Sequence, residues 1–108
     1  MRVKGYHSHI YFDEHTVEQA RALATLAGQT FPVSVGRVIE QEVGPHPKWS
    51  CQLAYAPELL SDVMPWLAIH REGLTIFTHM ITGDDLWDHT KGAIWMGSIE
   101  ALHLDMFQ

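Results

Sequence analysis

The sequence predicts an α+β sandwich in which one sheet carries both principal helices on a single face. Strand-like and helix-like segments alternate in the order β-α-β-β-α-β between residues 5 and 81, and each helical segment has one apolar stripe. The 108 residues, 46% of them apolar, are enough for one compact core without disulfide help. A single domain spanning residues 1–108 is therefore expected.

The first strand runs from Tyr6 to Phe12, where the two-residue period puts His7, His9 and Tyr11 on one face and Tyr6, Ser8, Ile10 and Phe12 on the other. Thr16 followed by Gln19 reads as a capping box, and Val17, Ala20, Leu23, Ala24 and Ala27 form a helical stripe that ends at Gly28. Phe31 to Val43 predicts the second strand, with Val33, Val35, Arg37, Ile39, Gln41 and Val43 on one parity and Gly36 marking a bulge. After Gly44, the Pro45-His46-Pro47 turn fixes two φ angles around one histidine, so its imidazole is held with little backbone freedom left to lose. Residues 50 to 55 predict a third strand. Pro57-Glu58 then opens a helix with the stripe Leu60, Val63, Met64 and Leu67, which Pro65 should kink or restart. Leu74 to Ile81 predicts the fourth strand, with Thr75, Phe77, His79 and Ile81 on one face.

This order fits the ferredoxin-like split βαβ arrangement, whose two right-handed crossovers give the strand order 4-1-3-2 and make the first and fourth strands neighbours. His9 and His79 then meet at the centre of the helix-free face. That face has to be covered, so the tail from Thr82 to Gln108 or a second subunit is expected to pack on it, and a homodimer is expected. Trp87, Trp95, Met96 and Leu102 give the tail apolar surface for this.

Composition excludes several partners. A formal charge of −6, with seven widely spread Lys and Arg residues, disfavours binding to a nucleic-acid backbone. The chain begins Met-Arg-Val-Lys-Gly-Tyr and runs straight into a polar strand, so neither a signal peptide nor a membrane span is expected. The lone Cys51 cannot form an internal bridge and reads as a small buried hydrophobe of a reducing, cytoplasmic environment.

Eight histidines are the chemical signal. Imidazole is the commonest neutral nitrogen ligand for iron, copper, nickel and zinc, and it exchanges protons near neutral pH, so a metal or acid–base site is the first expectation. His15, beside the Thr16 cap, His70, near a helix C-terminus, and His103, in the tail, read as structural or solvated. Asp84 and Asp85 read as caps of a turn or short helix. Trp49 and Trp95 are candidate walls of an aromatic pocket, with core packing as the alternative.

His9-Ile10-Tyr11-Phe12-Asp13, Val43-Gly44-Pro45-His46-Pro47, Pro65-Trp66-Leu67, and His79 followed by Thr82-Gly83-Asp84-Asp85 and Asp88-His89-Thr90 keep a fixed order along the chain. In these motifs the sequence resembles the DOPA 4,5-dioxygenase family of small extradiol-type ring-cleaving enzymes, from about residue 6 to residue 97. The resemblance implies a ferredoxin-like fold and oxygen-dependent opening of a catechol ring of DOPA or a related small aromatic. It also implies a non-haem metal, Fe(II), with another divalent ion such as zinc as the form that could be isolated. Met80 stands where family members often have Pro.

Such chemistry leaves room for only about three protein ligands, because catechol oxygens and dioxygen need open positions. The resemblance assigns His9, His46 and His79 as the metal set and His89 as the acid–base or substrate-orienting residue. His7 is the alternate ligand on the same strand face. Glu42, just before the Gly-Pro-His-Pro turn, is the alternate for a triad of two histidines and a carboxylate. Arg37 and Gln52 are candidate partners for a substrate carboxylate. Two other readings stay open on the residues alone: a cofactor-independent enzyme on this fold with histidine as general base, and a non-catalytic metal- or ligand-binding module.

Overall fold

The computed structural model describes residues 1–107 and has the ferredoxin-like α+β fold. Strands β1 (Gly5–Phe12), β2 (Ser34–Ile39), β3 (Trp49–Tyr55), β4 (Ile76–Ile81) and β5 (Ala93–Met96) form one sheet in the order β2-β3-β1-β4-β5. All four pairings are antiparallel. Helices α1 (Val17–Thr30) and α2 (Leu60–His70) are the two crossovers, and a short α3 (Asp85–His89) follows β4. Among the described residues, no helix is long and apolar enough to cross a membrane.

The core lies between the sheet and the two long helices. It takes Tyr6, Ile10 and Phe12 from β1, Cys51, Leu53 and Tyr55 from β3, and Ile76 from β4, against Leu23, Ala24 and Ala27 of α1 and Val63 and Leu67 of α2. Burying side chains of this size contributes about 1.5–3 kcal/mol each, which makes this layer the source of stability. Three hydroxyl groups within it satisfy one another: Ser8 Oγ lies 2.8 Å from the Tyr55 hydroxyl and 2.7 Å from Thr78 Oγ1. Cys51 is fully buried in the same layer, as a small hydrophobe should be.

Four local expectations are corrected. Helix α1 does not stop at Gly28 but continues to Thr30; a Cβ at residue 28 would lie 2.9 Å from Val35 Cγ2, so glycine there serves the close approach of helix to β2. Thr16 makes no side-chain cap bond; its hydroxyl instead donates to Asp13 Oδ1 and accepts from the Asp13 amide, closing a tight turn before the helix. Pro65 does not restart α2, which runs unbroken from Leu60 to His70 with Val63 and Leu67 buried on either side of the proline. β2 ends at Ile39 and not Val43, and the shift in its pairing falls between Val35 and Val38. That bulge, at Gly36 as expected, breaks the assumed parity: Val38 packs on the core, and Arg37 and Ile39 turn to the helix-free face.

The tail also departs from a simple cover. β5 extends the sheet beside β4, pairing Trp95 with Phe77 and Ala93 with His79; the chain then reaches the His46 loop, where the His103 amide donates to Pro45 O at 2.9 Å, before the last turn, Asp105–Phe107. There Phe107 stacks on His89 with ring centroids 4.5 Å apart.

Candidate functional site

The helix-free face carries the histidines because β1 and β4 both place them on the parity opposite the core. His7 and His79 are direct cross-strand partners, and His9 lies diagonal to His79, opposite Phe77 on one side and Gln52 on the other. The diagonal brings His9 Nε2 to 3.1 Å from His79 Nε2. Ligand-capable nitrogens of His7, His9 and His79 all lie within 4.8 Å of one another.

The other two histidines arrive from outside the sheet, His46 on a loop and His89 on α3. His46 is 7% exposed, held in the Gly-Pro-His-Pro turn by its own amide bond to Val43 O at 3.1 Å, and its ring lies 4.1 Å from that of His9. His89, at the end of α3, sets its ring 4.1 Å from that of His79. All five line one cleft of about 290 Å³. Next to the imidazoles Phe77 is fully buried, tilted against His79 and stacked on Trp95 with a centroid distance of 4.5 Å.

Hydrogen bonds fix which nitrogens are presented. Met80 O can only accept, so the 3.0 Å bond makes His79 Nδ1 the protonated nitrogen and leaves a lone pair on Nε2 of the neutral ring. His89 Nδ1 likewise donates to Asp85 O at 2.7 Å and frees Nε2. His46 Nδ1 is 2.8 Å from the Tyr11 hydroxyl. Burial, reinforced by the neighbouring imidazoles, holds His9 well below the ordinary value. It lowers His46 to about 4. His79 also falls to about 4 through burial, against the opposing pull of its bond to Met80 O. Burial also lowers His7 and pushes the Tyr11 phenol upward.

The cluster is thus a set of neutral nitrogen donors, the form that binds a divalent transition ion. The spacing fits as well. Two nitrogens each about 2.1 Å from one ion, at about a right angle, would be about 3.0 Å apart, close to the 3.1 Å between His9 and His79. His79 Nε2 can accept a proton from His9 Nε2 or, with His9 in its other tautomer, both lone pairs can share a cation.

Of the residues anticipated from sequence, His9, His46, His79, His89 and the alternate His7 are brought together, and His7 rather than His46 completes the tightest group of three. Glu42 is not brought in. It is exposed and bonded to His103 Nε2 at 3.0 Å, because Gly44 and Pro45 turn the chain between it and His46. Trp49 is turned to the core side against Phe12, whereas Trp95 packs on Phe77 and Tyr11, behind the histidines. Asp84 caps α3 by accepting from the Trp87 amide at 3.1 Å, as expected, and His15 and His70 are exposed.

Two contributors were not singled out. Tyr11 is 2% exposed and orients His46; its place on the parity of His7 and His9 was the available signal. Asp88, also 2% exposed, accepts from the Thr82 amide at 2.8 Å and from Thr82 Oγ1 at 2.6 Å, tying α3 to the end of β4 and so fixing His89 beside His79. Only its position next to His89 hinted at this.

A sequence model of the Dopa 4,5-dioxygenase family matches residues 6–106. A DOPA 4,5-dioxygenase from Amanita muscaria is 29% identical over 94% of this chain and 49% of its own length. An uncharacterized 21.2 kDa protein from Botryotinia fuckeliana is 36% identical over 91% of this chain and 59% of its own. The chain therefore spans about half the length of the curated relatives it matches. A crystal structure of a candidate dioxygenase from Nostoc punctiforme superposes with a TM-score of 0.93 at 38% identity, covering 95% of this chain and 90% of that one.

Proposed function

Because this chain belongs to the Dopa 4,5-dioxygenase family, we propose that it is a metal-dependent dioxygenase that opens the ring of a small catechol. The observation that carries the reading is the convergence of neutral imidazoles from β1 and β4, with ligand atoms within 4.8 Å, at the bottom of an open cleft. A divalent ion, Fe(II) in this proposal, would be held by His7, His9 and His79 and would supply the redox chemistry and open positions for oxygen and the catechol hydroxyls. His46, assigned to the metal set from sequence, becomes a flanking group, since it lies outside the three histidines whose ligand atoms come within 4.8 Å of one another.

The remaining residues handle protons and water. His89 lines the cleft with its ring anchored through Nδ1 to Asp85 O, and in its neutral form can take a proton from a catechol hydroxyl at Nε2. His46 flanks the opposite side of the cluster, and its contact with Tyr11 couples which nitrogen holds its proton to the direction of the phenol hydroxyl. Phe77 and Phe107 present apolar rings to the imidazoles, limiting water around them.

Anaerobic reconstitution with Fe(II), followed by oxygen uptake with DOPA, caffeate and protocatechuate, tests the proposal. Uptake coupled to a yellow ring-opened product is expected with Fe(II) and not with Zn(II), which lacks accessible redox states. Equal uptake by the chelated protein would eliminate a metal-dependent reaction. His7→Ala is expected to lose the metal and His46→Ala to keep it; the reverse pattern would restore the sequence-based set of His9, His46 and His79.

A further inference from the structure

We propose that Arg37 selects the substrate side chain, and that the preferred substrate is a catechol bearing a carboxylate without a neighbouring ammonium group. The inference rests on the catechol reading above. Beside the histidine cleft lies a second cavity of about 190 Å³, and the two share His9, His46 and Gln52 as a common wall. A ring seated at the histidines therefore has space for a side chain running toward β2.

Arg37 lines that second cavity through the β2 bulge. Two residues, Gly36 and Arg37, occupy the interval where the pairing slips, and a Cβ on residue 36 would come within 3.2 Å of Gln52 O. Glycine at 36 thus permits the strand to press on β3 while Arg37 turns to the open face. Among the described residues, no carboxylate lies within ion-pair distance of the Arg37 guanidinium. It is the one permanent cation lining either cavity. A guanidinium fork without a protein counter-ion, beside Gln52 and Ser50, matches the two oxygens of a ligand carboxylate.

The same cavity holds no acidic side chain. An α-ammonium group placed next to the bound carboxylate would meet the charge of Arg37 and find no carboxylate to offset it. Dihydroxyphenylpropionate, which presents the same ring and carboxylate at similar reach but no ammonium, meets only the favourable half of that field. The arrangement thus ranks the propionate first, DOPA second and an uncharged catechol last.

Equilibrium binding under anaerobic conditions tests this ranking with Fe(II)-loaded protein, following tryptophan fluorescence with 3-(3,4-dihydroxyphenyl)propionate, DOPA and 4-methylcatechol. A charged hydrogen-bonded pair corresponds to about a ten- to hundredfold advantage in Kd of the propionate over 4-methylcatechol. Arg37→Gln is expected to remove most of that advantage while leaving 4-methylcatechol binding and iron content unchanged. The ligand series in the unaltered protein stands independently of the variant. Equal affinity for 4-methylcatechol and the propionate would overturn the role of Arg37 and leave the catechol reading intact. Tighter binding of DOPA than of the propionate would overturn the preference against ammonium. Absence of binding by all three would overturn both this inference and the reading beneath it.

Discussion

Chelated, metal-free protein should lose stability steeply as pH falls from about 6.5 to about 4, because folding holds His46 and His79 neutral where the unfolded chain would protonate them. Both groups have a folded value depressed below the unfolded one, so across this interval the unfolded chain binds more protons and stability rises with pH. The contribution is complete above about pH 6.5 and lost on approaching pH 4. The drop from 6.5 to about 4 corresponds to at most about 3.4 kcal/mol for one histidine. Water retained at the cleft mouth screens part of this, so about 3–4 kcal/mol for the two together is the expected loss. His9, lowered further by burial and its neighbours, acts in the same direction. Against a total stability of about 5–15 kcal/mol, this is a large fraction. Urea unfolding of chelated protein, followed by tryptophan fluorescence between pH 4 and 8, would show the midpoint falling with pH. The decline should be shallower in His46→Gln, which separates the imidazole contribution from that of carboxylates. Parallel curves for the variant and the parent would refute the assignment of acid sensitivity to this cluster.

Other outcomes follow from the same geometry. His89→Ala should retain metal but turn over about 100- to 10,000-fold more slowly, as loss of a proton-transfer group requires; equal loss of metal, measured by atomic absorption, would make it a ligand instead. Glu42→Gln should change stability by less than about 1 kcal/mol and leave metal content unaltered, since its partner His103 is an exposed histidine; a drop in bound metal would bring the carboxylate back into the site. Static light scattering at micromolar concentration should give twice the chain mass, because Ile99 and Met106 of the tail stand 78% and 53% exposed and favour a partner surface; a monomer mass would remove that expectation.

Strand and helix order were legible because binary patterning decides which face of β1 and β4 meets the helices, and that alternation puts His7, His9, Phe77 and His79 together on the open side. The rotation of Arg37 was not legible in the parity count, since one extra residue at a bulge reverses every position after it. Which third histidine stands nearest the expected pair of His9 and His79 was hidden for a different reason: His7 is set by its cross-strand register with His79, whereas the path of the loop that carries His46 is not encoded in strand parity. Asp88 illustrates a third limit: nothing in its spacing marks it as structural, yet its two bonds to Thr82 make it a fastener of the short helix.

The division of the sheet explains how such a site can exist in a small domain. Stability resides on the helix side, where Ile10, Leu53, Leu67 and Ile76 are fully buried. The opposite face places five imidazoles around one cleft, an arrangement that favours neutral rings and opposes protonation. A bound cation removes that opposition by giving the lone pairs a common partner, so metal binding and folding are linked: any ion that binds only the native cluster raises stability by mass action. The linkage predicts that Fe(II) or Zn(II) raises the melting temperature of the unaltered protein and of His46→Gln alike, and leaves His9→Ala unshifted. Zinc is the sharper probe, because it separates ligation from oxygen chemistry. A zinc-dependent rise that persisted undiminished in His9→Ala would place the ion elsewhere, since His9 contributes the nitrogen nearest His79.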